Sequence, residues 1–308
     1  MSGKKDILSL DKFGVSDIKD LLIQTDSFAE ILKRDVKKVP VLRGKTVINL
    51  FFEPSTRTKV SFEIAAKRLS ADLINFSSSS SSLKKGETEI DTLKTINAMK
   101  VDLVIIRHSD SGYINYFAEE MPVPVINAGD GKHEHPTQAL LDLYTIFKKF
   151  PDFKGLKVGI VGDILNSRVA RSDIKLFKKM GMDVTVVAPS MLMPENFRFF
   201  DVKTASCIDD VISEVDILYM LRMQFERQDR KFYPSIQEYN RFLSLDAERL
   251  GLMKKDSIIL HPGPVNRGIE ISDEVMEMEN TQDSRISINT QVTNGVSVRM
   301  AVLYYALS

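Results

Sequence analysis

Apolar residues along the chain follow two alternating rhythms. The stretch 46–52, Thr-Val-Ile-Asn-Leu-Phe-Phe, is β-branched and aromatic without a charge, the pattern of a strand buried on both faces. The stretch 59–69 instead sets Val60, Ile64, Ala65, Ala66 and Leu69 near helical spacing, which predicts a helix that begins at Ser55 to Thr58. Further strand patterns occupy 72–76, 102–107 and 123–127 in the first half, then 156–161, 183–188, 216–221 and 257–260 in the second. Helical patterns at 139–149 and 167–179 lie between them. Strands that alternate with helices make parallel sheets covered on both faces. The expected fold is therefore α/β, with two similar domains, each a parallel sheet flanked by helices.

Length supports the division, because 308 residues exceed what one hydrophobic core usually serves. The segment 148–155 is charged and holds Pro151 and Gly155, so it is read as the junction between a domain at 1–148 and one at 149–291. The segment 293–305 reads as an apolar helix rich enough to be buried, and 292–308 is expected to return to the first domain. Composition excludes several classes. Lys+Arg and Asp+Glu both number 42, so no basic excess favours a nucleic-acid backbone and any anion site must be local. One cysteine, Cys207, forbids an internal disulfide and fits a reducing compartment, and its ordinary reading is a small buried side chain. No run of 18 apolar residues and no signal-peptide core occur, which leads us to expect a cytoplasmic protein without membrane contact. The four histidines lack metal-ligand spacing, and neither a metal nor a cofactor is expected.

Polar groups gather where these strands end, the place where open α/β sheets bind ligands. After the first strand comes Glu53-Pro54-Ser55-Thr56-Arg57-Thr58, hydroxyls and a guanidinium at a helix start. There the first backbone N–H groups lack intrahelical partners and the macrodipole is positive, which favours an anion. An ordinary Ser/Thr cap beside a surface arginine would look the same. Arg107-His108 follows the third strand and His135-Pro136-Thr137-Gln138 the fourth. In the second half the strand ends run into Ser167-Arg168, Arg222-Met223-Gln224 and His261-Pro262-Gly263-Pro264.

Together with Lys84-Lys85-Gly86-Glu87 and Arg222-Met223-Gln224-Phe225-Glu226-Arg227, these segments resemble the aspartate/ornithine carbamoyltransferase family, and the last two resemble its aspartate branch. The likeness runs from about Lys45 to the end of the chain. It implies an N-terminal carbamoyl-phosphate domain, a C-terminal aspartate domain, and transfer of a carbamoyl group to the α-amine of L-aspartate in pyrimidine synthesis. By that resemblance Ser55, Thr56, Arg57, Thr58 and Arg107 hold the phosphate. Arg57, Thr58 and His135 reach the carbonyl oxygen, and Gln138 accepts from the carbamoyl amide. Arg168 and Arg222 take the two aspartate carboxylates with Gln224 beside them, and Gly263 and Pro264 offer backbone contacts. A loop carrying Ser81 and Lys85 would serve the adjacent subunit's site, with Lys85 reaching aspartate as well, so a homotrimer with shared sites is implied. Six consecutive serines at 77–82 leave the serine open by one position. A regulatory chain or a dihydroorotase partner stays open.

Two alternatives remain at this point. Ornithine or another amino acid could be the acceptor, although Arg222 would repel an ammonium side chain. Gly159-Ile160-Val161-Gly162-Asp163 after a strand also suggests a dinucleotide-binding oxidoreductase, but the third glycine of that fingerprint is missing.

Overall fold

The computed structural model describes residues 4–77, 88–195, 200–224, 235–279 and 283–308. The chain divides into two compact units, Met1–Tyr144 with Thr293–Ser308, and Thr145–Val292. In chain order the first holds α1 (Val15–Leu32), β1 (Thr46–Phe51), α2 (Thr56–Arg68), β2 (Asp72–Ser77), α3 (Glu89–Ala98), β3 (Leu103–His108), α4 (Tyr113–Glu120) and β4 (Val125–Asp130). Helix α5 (Pro136–Lys149) leads on to β5 (Lys157–Val161), α6 (Arg168–Lys179), β6 (Asp183–Val187), β7 (Lys203–Ala205) and β8 (Ile217–Met220). Then follow α7 (Ile236–Leu243), α8 (Ala247–Leu252), β9 (Ile258–Leu260), α9 (Asp273–Met278) and α10 (Ile288–Leu307). Most of α10 belongs to the first unit.

Both sheets are wholly parallel, and both reverse direction in the same way. The first has the order β2-β1-β3-β4 and the second β7-β6-β5-β8-β9. In each the chain starts at an inner strand, builds outward on one side, then returns to pair on the other. The reversal leaves a crevice outside the carboxyl ends of β1 and β3 in one unit and of β5 and β8 in the other, because the connections on either side depart to opposite faces. Register aligns those ends: Phe51 lies opposite Arg107, and Val161 opposite Met220.

Burial explains the elements. Val47, Leu50, Leu103 to Ile106, Val125 and Ile126 are buried on the sheet, and Phe117, Leu93 and Ile96 cover part of it. In α2 the buried face is Thr58, Phe62, Ala65 and Ala66, continued by Leu69, whereas Val60 and Ile64 are exposed. The apolar stripe read from the sequence therefore needs this correction, since Phe62 completes the buried spacing and Val60 and Ile64 lie off it. Strand β4 extends through Asn127-Ala128-Gly129-Asp130, a poor strand sequence. Side chains compensate: Asn127 Nδ2 donates to the Leu8 carbonyl at 2.9 Å and its Oδ1 accepts from Gly129 N–H at 2.7 Å. Cys207 departs from its expected burial. It is half-buried, and its thiol donates to Asp209 Oδ2 at 3.1 Å, with burial pushing its pKa up. Among the described residues no helix is long and apolar enough to cross a membrane.

Candidate active site

In the first unit the polar segments leave β1, β3 and β4, three strands adjacent in the sheet. Ser55 is the residue before α2, with extended backbone at φ −161° and ψ 95°, and its side chain makes no capping hydrogen bond. No acidic residue stands in the first turn. An ordinary cap would have spent the hydroxyl on a helix N–H, so the positive end of this helix, with Arg57 in its first turn, is offset neither by its cap residue nor by a first-turn carboxylate. Arg107 lies next to the end of β3, opposite Phe51, and Phe52 N–H donates to its carbonyl at 2.9 Å. Its Nε lies 2.7 Å from Glu53 Oε1, and its Nη1 donates to the Ala128 carbonyl at 3.1 Å. Glu53 thus orients the guanidinium from within the same loop that carries Ser55 to Thr58, a role that sequence reading missed.

His135 immediately precedes α5 and is buried. The turn before it is built on buried Asp130, whose Oδ1 accepts from Glu134 N–H at 2.9 Å and whose Oδ2 accepts from Gly112 N–H at 3.0 Å. Gln138 then lies one turn into α5, where its Nε2 donates to both oxygens of Asp142 at 3.0 and 3.2 Å. An ionised carboxylate only accepts, so the amide nitrogen of Gln138 is the atom that faces Asp142, and Oε1 is its acceptor. Asp142 also escaped the sequence reading, although its place four residues after Gln138 on one helix face was a usable signal. His108, beside Arg107, has a different use. Its Nδ1 accepts from Asp110 N–H at 2.9 Å, its Nε2 lies 3.2 Å from Glu89, and its ring stacks on Tyr113 at 4.6 Å.

The second unit repeats the arrangement with β5, β8 and β9, again three adjacent strands. Arg168 opens α6 and is buried, while Ser167 caps that helix by accepting from Ala170 N–H at 3.1 Å. Asp163, fully buried, shapes the loop ahead by accepting from Asn166 N–H at 3.1 Å and from its Nδ2 at 3.0 Å. Arg222 and Gln224 lie just past β8, both half-buried, with buried Met223 between them. Arg222 and Gln224 thus flank a buried residue in one short segment at the strand end. Leu221 N–H donates to the Val161 carbonyl at 2.8 Å, so the Arg168 and Arg222 segments depart from neighbouring strand ends. Gly162 has φ +124°, and a Cβ there would meet Tyr239 Oη at 3.0 Å and the Leu221 carbonyl oxygen at 3.2 Å. That close approach between strand ends accounts for the glycine without a dinucleotide. Gly263 and Pro264 follow β9, with Gly263 N–H donating to His261 Nδ1 at 2.8 Å.

Ser81 and Lys85 lie outside the described residues, as do Phe225, Glu226 and Arg227. Among the described residues no group of three or more His, Cys, Asp or Glu side chains is placed to hold a metal ion.

Residues 5–148 match the family model described as aspartate/ornithine carbamoyltransferase, carbamoyl-P binding domain, and residues 154–306 match its Asp/Orn binding domain. The aspartate carbamoyltransferase catalytic subunit of Endomicrobium trichonymphae is 50% identical over 299 residues, spanning 97% of this chain and 94% of that protein. That of Citrifermentans bemidjiense is 49% identical over 302 residues, spanning 98% and 96%. Among solved structures, aspartate transcarbamoylase from Trypanosoma cruzi in complex with N-(phosphonacetyl)-L-aspartic acid superposes with a TM-score of 0.88 at 31% identity, covering 99% of this chain and 96% of that one. The same enzyme with carbamoyl aspartate and phosphate gives a TM-score of 0.85 at 31% identity over the same shares.

Proposed function

This chain belongs to the aspartate/ornithine carbamoyltransferase family, and from that premise we propose how its residues divide the reaction. The reaction is transfer of the carbamoyl group of carbamoyl phosphate to the α-amine of L-aspartate, which yields N-carbamoyl-L-aspartate and phosphate for pyrimidine synthesis. The observation that carries the residue assignment is the shared topology: in each sheet the polar segments depart from the carboxyl ends of the strands that flank the reversal.

Carbamoyl phosphate brings a phosphate dianion next to a carbonyl. In our reading the α2 N–H groups, Ser55, Thr56, Arg57, Thr58 and Arg107 take the phosphate oxygens. Attack by the amine forms the C–N bond and moves charge onto the carbonyl oxygen, which Arg57, Thr58 and His135 stabilise as donors. Fixed donors aimed at such an oxygen are worth about 3 to 4 kcal/mol each. Gln138 Oε1 accepts from the carbamoyl NH2 group, an orientation that Asp142 enforces. The C–O bond to phosphate then breaks with its electron pair, and the proton that the amine gives up goes to the departing phosphate oxygen. Bidentate pairing of Arg168 and Arg222 with the two aspartate carboxylates, aided by Gln224 and the Gly263-Pro264 backbone, fixes the direction of the amine.

Ser81 and Lys85 complete a neighbouring subunit's site in this reading, which makes the active form a homotrimer in the cytoplasm. That part rests on the motif Lys84-Lys85-Gly86-Glu87.

Carbamoylation of L-aspartate and of L-ornithine by purified wild type and Arg222→Ala tests the second-unit assignment. We expect turnover of aspartate alone in wild type and a rise of at least about 30-fold in aspartate KM in the variant, from loss of roughly 2 kcal/mol of charge-assisted pairing. Ornithine turnover, or an unchanged aspartate KM in the variant, overturns it.

A further inference from the structure

Glu270 is buried completely within the second unit, beyond the turn that follows β9. Its Oε1 accepts from Met223 N–H at 2.7 Å and from Asn266 Nδ2 at 2.7 Å, and its Oε2 accepts from Asn266 N–H at 2.6 Å. Asn266 Nδ2 also donates to the Met223 carbonyl at 3.2 Å, so one carboxyl and one amide hold both polar groups of the Met223 backbone. Met223 is the residue between Arg222 and Gln224. On the other side, Glu270 Oε2 lies 3.8 Å from His261 Nε2, and His261 Nδ1 accepts from Gly263 N–H at 2.8 Å. One buried carboxyl therefore meets both strand-end segments of this half of the site.

We propose that Glu270, with Asn266 as its partner, is a positioning residue that holds the Arg222-Met223-Gln224 segment in register with the His261-Gly263 turn and so sets the grip on the amino-acid substrate. The inference rests on Arg222 and Gln224 binding that substrate. The argument is one of bond count. Met223 is buried just past the end of β8, and a buried backbone N–H needs an acceptor. Glu270 supplies it, and in doing so fixes the backbone between Arg222 and Gln224. Three N–H donors suit an ionised carboxylate, which only accepts. Burial works against that charge and raises the Glu270 pKa from 4.5 to about 7. The titratable side chain facing it is His261, whose accepted bond from Gly263 leaves its ring proton on Nε2. As pH falls through about 7 the carboxyl gains a proton, and the charge that strengthens its bonds to the Met223 and Asn266 N–H groups is lost.

The test is steady-state kinetics of the full-length enzyme and of Glu270→Gln and Asn266→Ala, with KM for aspartate and for carbamoyl phosphate measured from pH 5.5 to 8.5, a range of roughly 1.5 units either side of that transition. Loss of a hydrogen bond to a charged acceptor predicts a rise of roughly 10- to 100-fold in aspartate KM in either variant, with carbamoyl-phosphate KM within about twofold of wild type. Wild type should bind aspartate more weakly as pH falls through about 7, and Glu270→Gln should lack that limb. A merely structural role would shift both substrates and leave the pH limb in place. The proposal is overturned by an unchanged aspartate KM in both variants, by equal losses for both substrates, or by an intact acid limb in Glu270→Gln. If Glu270→Gln does not fold, Asn266→Ala carries the KM comparison and the wild-type acid limb the pH one. Arg222→Ala separates the two readings: when it weakens aspartate and the Glu270 and Asn266 variants do not, only the positioning role fails, and when it too leaves aspartate unaffected, the substrate assignment fails.

Discussion

Replacing Asp142 by Asn reaches the orientation of Gln138 and the balance of charge beneath it in one step. The Asp142 carboxylate is fully buried and accepts from Gln138 at 3.0 and 3.2 Å. It is also the electrostatic counterweight of Arg299, a buried guanidinium that lies 5.2 Å over the Phe62 ring and donates to the Gly295 carbonyl at 3.1 Å. Burial lowers the Arg299 pKa from 12.5 to about 10 even with Asp142 opposing the fall. That drop corresponds to about 3 kcal/mol by which the fold already disfavours the cation. Removing one charge of a buried pair typically costs about 3–5 kcal/mol. Because Asp142→Asn keeps shape and one acceptor, we expect the lower end, a loss of about 3 kcal/mol. The new amide presents both a donor and an acceptor, so Gln138 can turn its own N–H outward. Carbamoyl-phosphate KM should then rise roughly tenfold, equivalent to about 1.4 kcal/mol. Urea unfolding reads the first effect, and initial rates at saturating aspartate read the second. Unfolding free energy within about 1 kcal/mol of wild type, with KM within about twofold, would refute the reasoning.

Three further outcomes follow from the same structure. Arg107→Ala should raise carbamoyl-phosphate KM by roughly 30-fold or more, from about 2 kcal/mol of lost phosphate pairing, while leaving aspartate KM near wild type; equal effects on both substrates in initial-rate assays would contradict the assignment. Gly162→Ala combines a positive φ of +124° with contacts of 3.0 to 3.2 Å to Tyr239 and Leu221. It should destabilise by about 2–4 kcal/mol in urea unfolding and weaken aspartate use, since Leu221 leads directly into Arg222. Glu270 should also leave a mark on stability. With its pKa raised from 4.5 to about 7, the folded chain keeps a proton that the unfolded chain releases near 4.5. Its contribution is therefore fully present below pH 4.5 and is lost as pH rises through about 7, a decline of about 3 kcal/mol. Wild-type unfolding free energy should fall by that amount relative to Glu270→Gln across the interval, and a constant difference would count against the shift.

The carboxylate at 270 illustrates a trade between stability and function. Ionised, it satisfies three N–H groups around the proposed aspartate site. Neutral, it costs the fold less, because a charge in a dry interior loses its hydration.

Strand and helix positions were largely legible in the amino-acid order, since periodicity is a local property. The 46–52 run became β1 and Ser55 proved to be the residue before α2. The polar segments at the strand ends were visible as well, as hydroxyls, arginines and histidines following apolar runs, and the resemblance to the family supplied the roles proposed for them. Other features were not legible locally. The end of β4 is a strand through its pairing with β3, and Asn127 and Asp130 find further partners in Leu8 and Gly112, which lie far along the chain. The exposed face of α2 carries Val60 and Ile64 although both are apolar, because Thr58, Phe62, Ala65 and Ala66 take the buried one. Above all, the order of strands decided which polar segments meet: nothing in a strand's own residues says that β3 returns beside β1, or β8 beside β5. That choice follows from how crossover helices cover both faces of a sheet. It also created the need for Glu53, Asp142 and Glu270, whose task is to hold other side chains and backbone groups in place and whose residue types alone carry no sign of it.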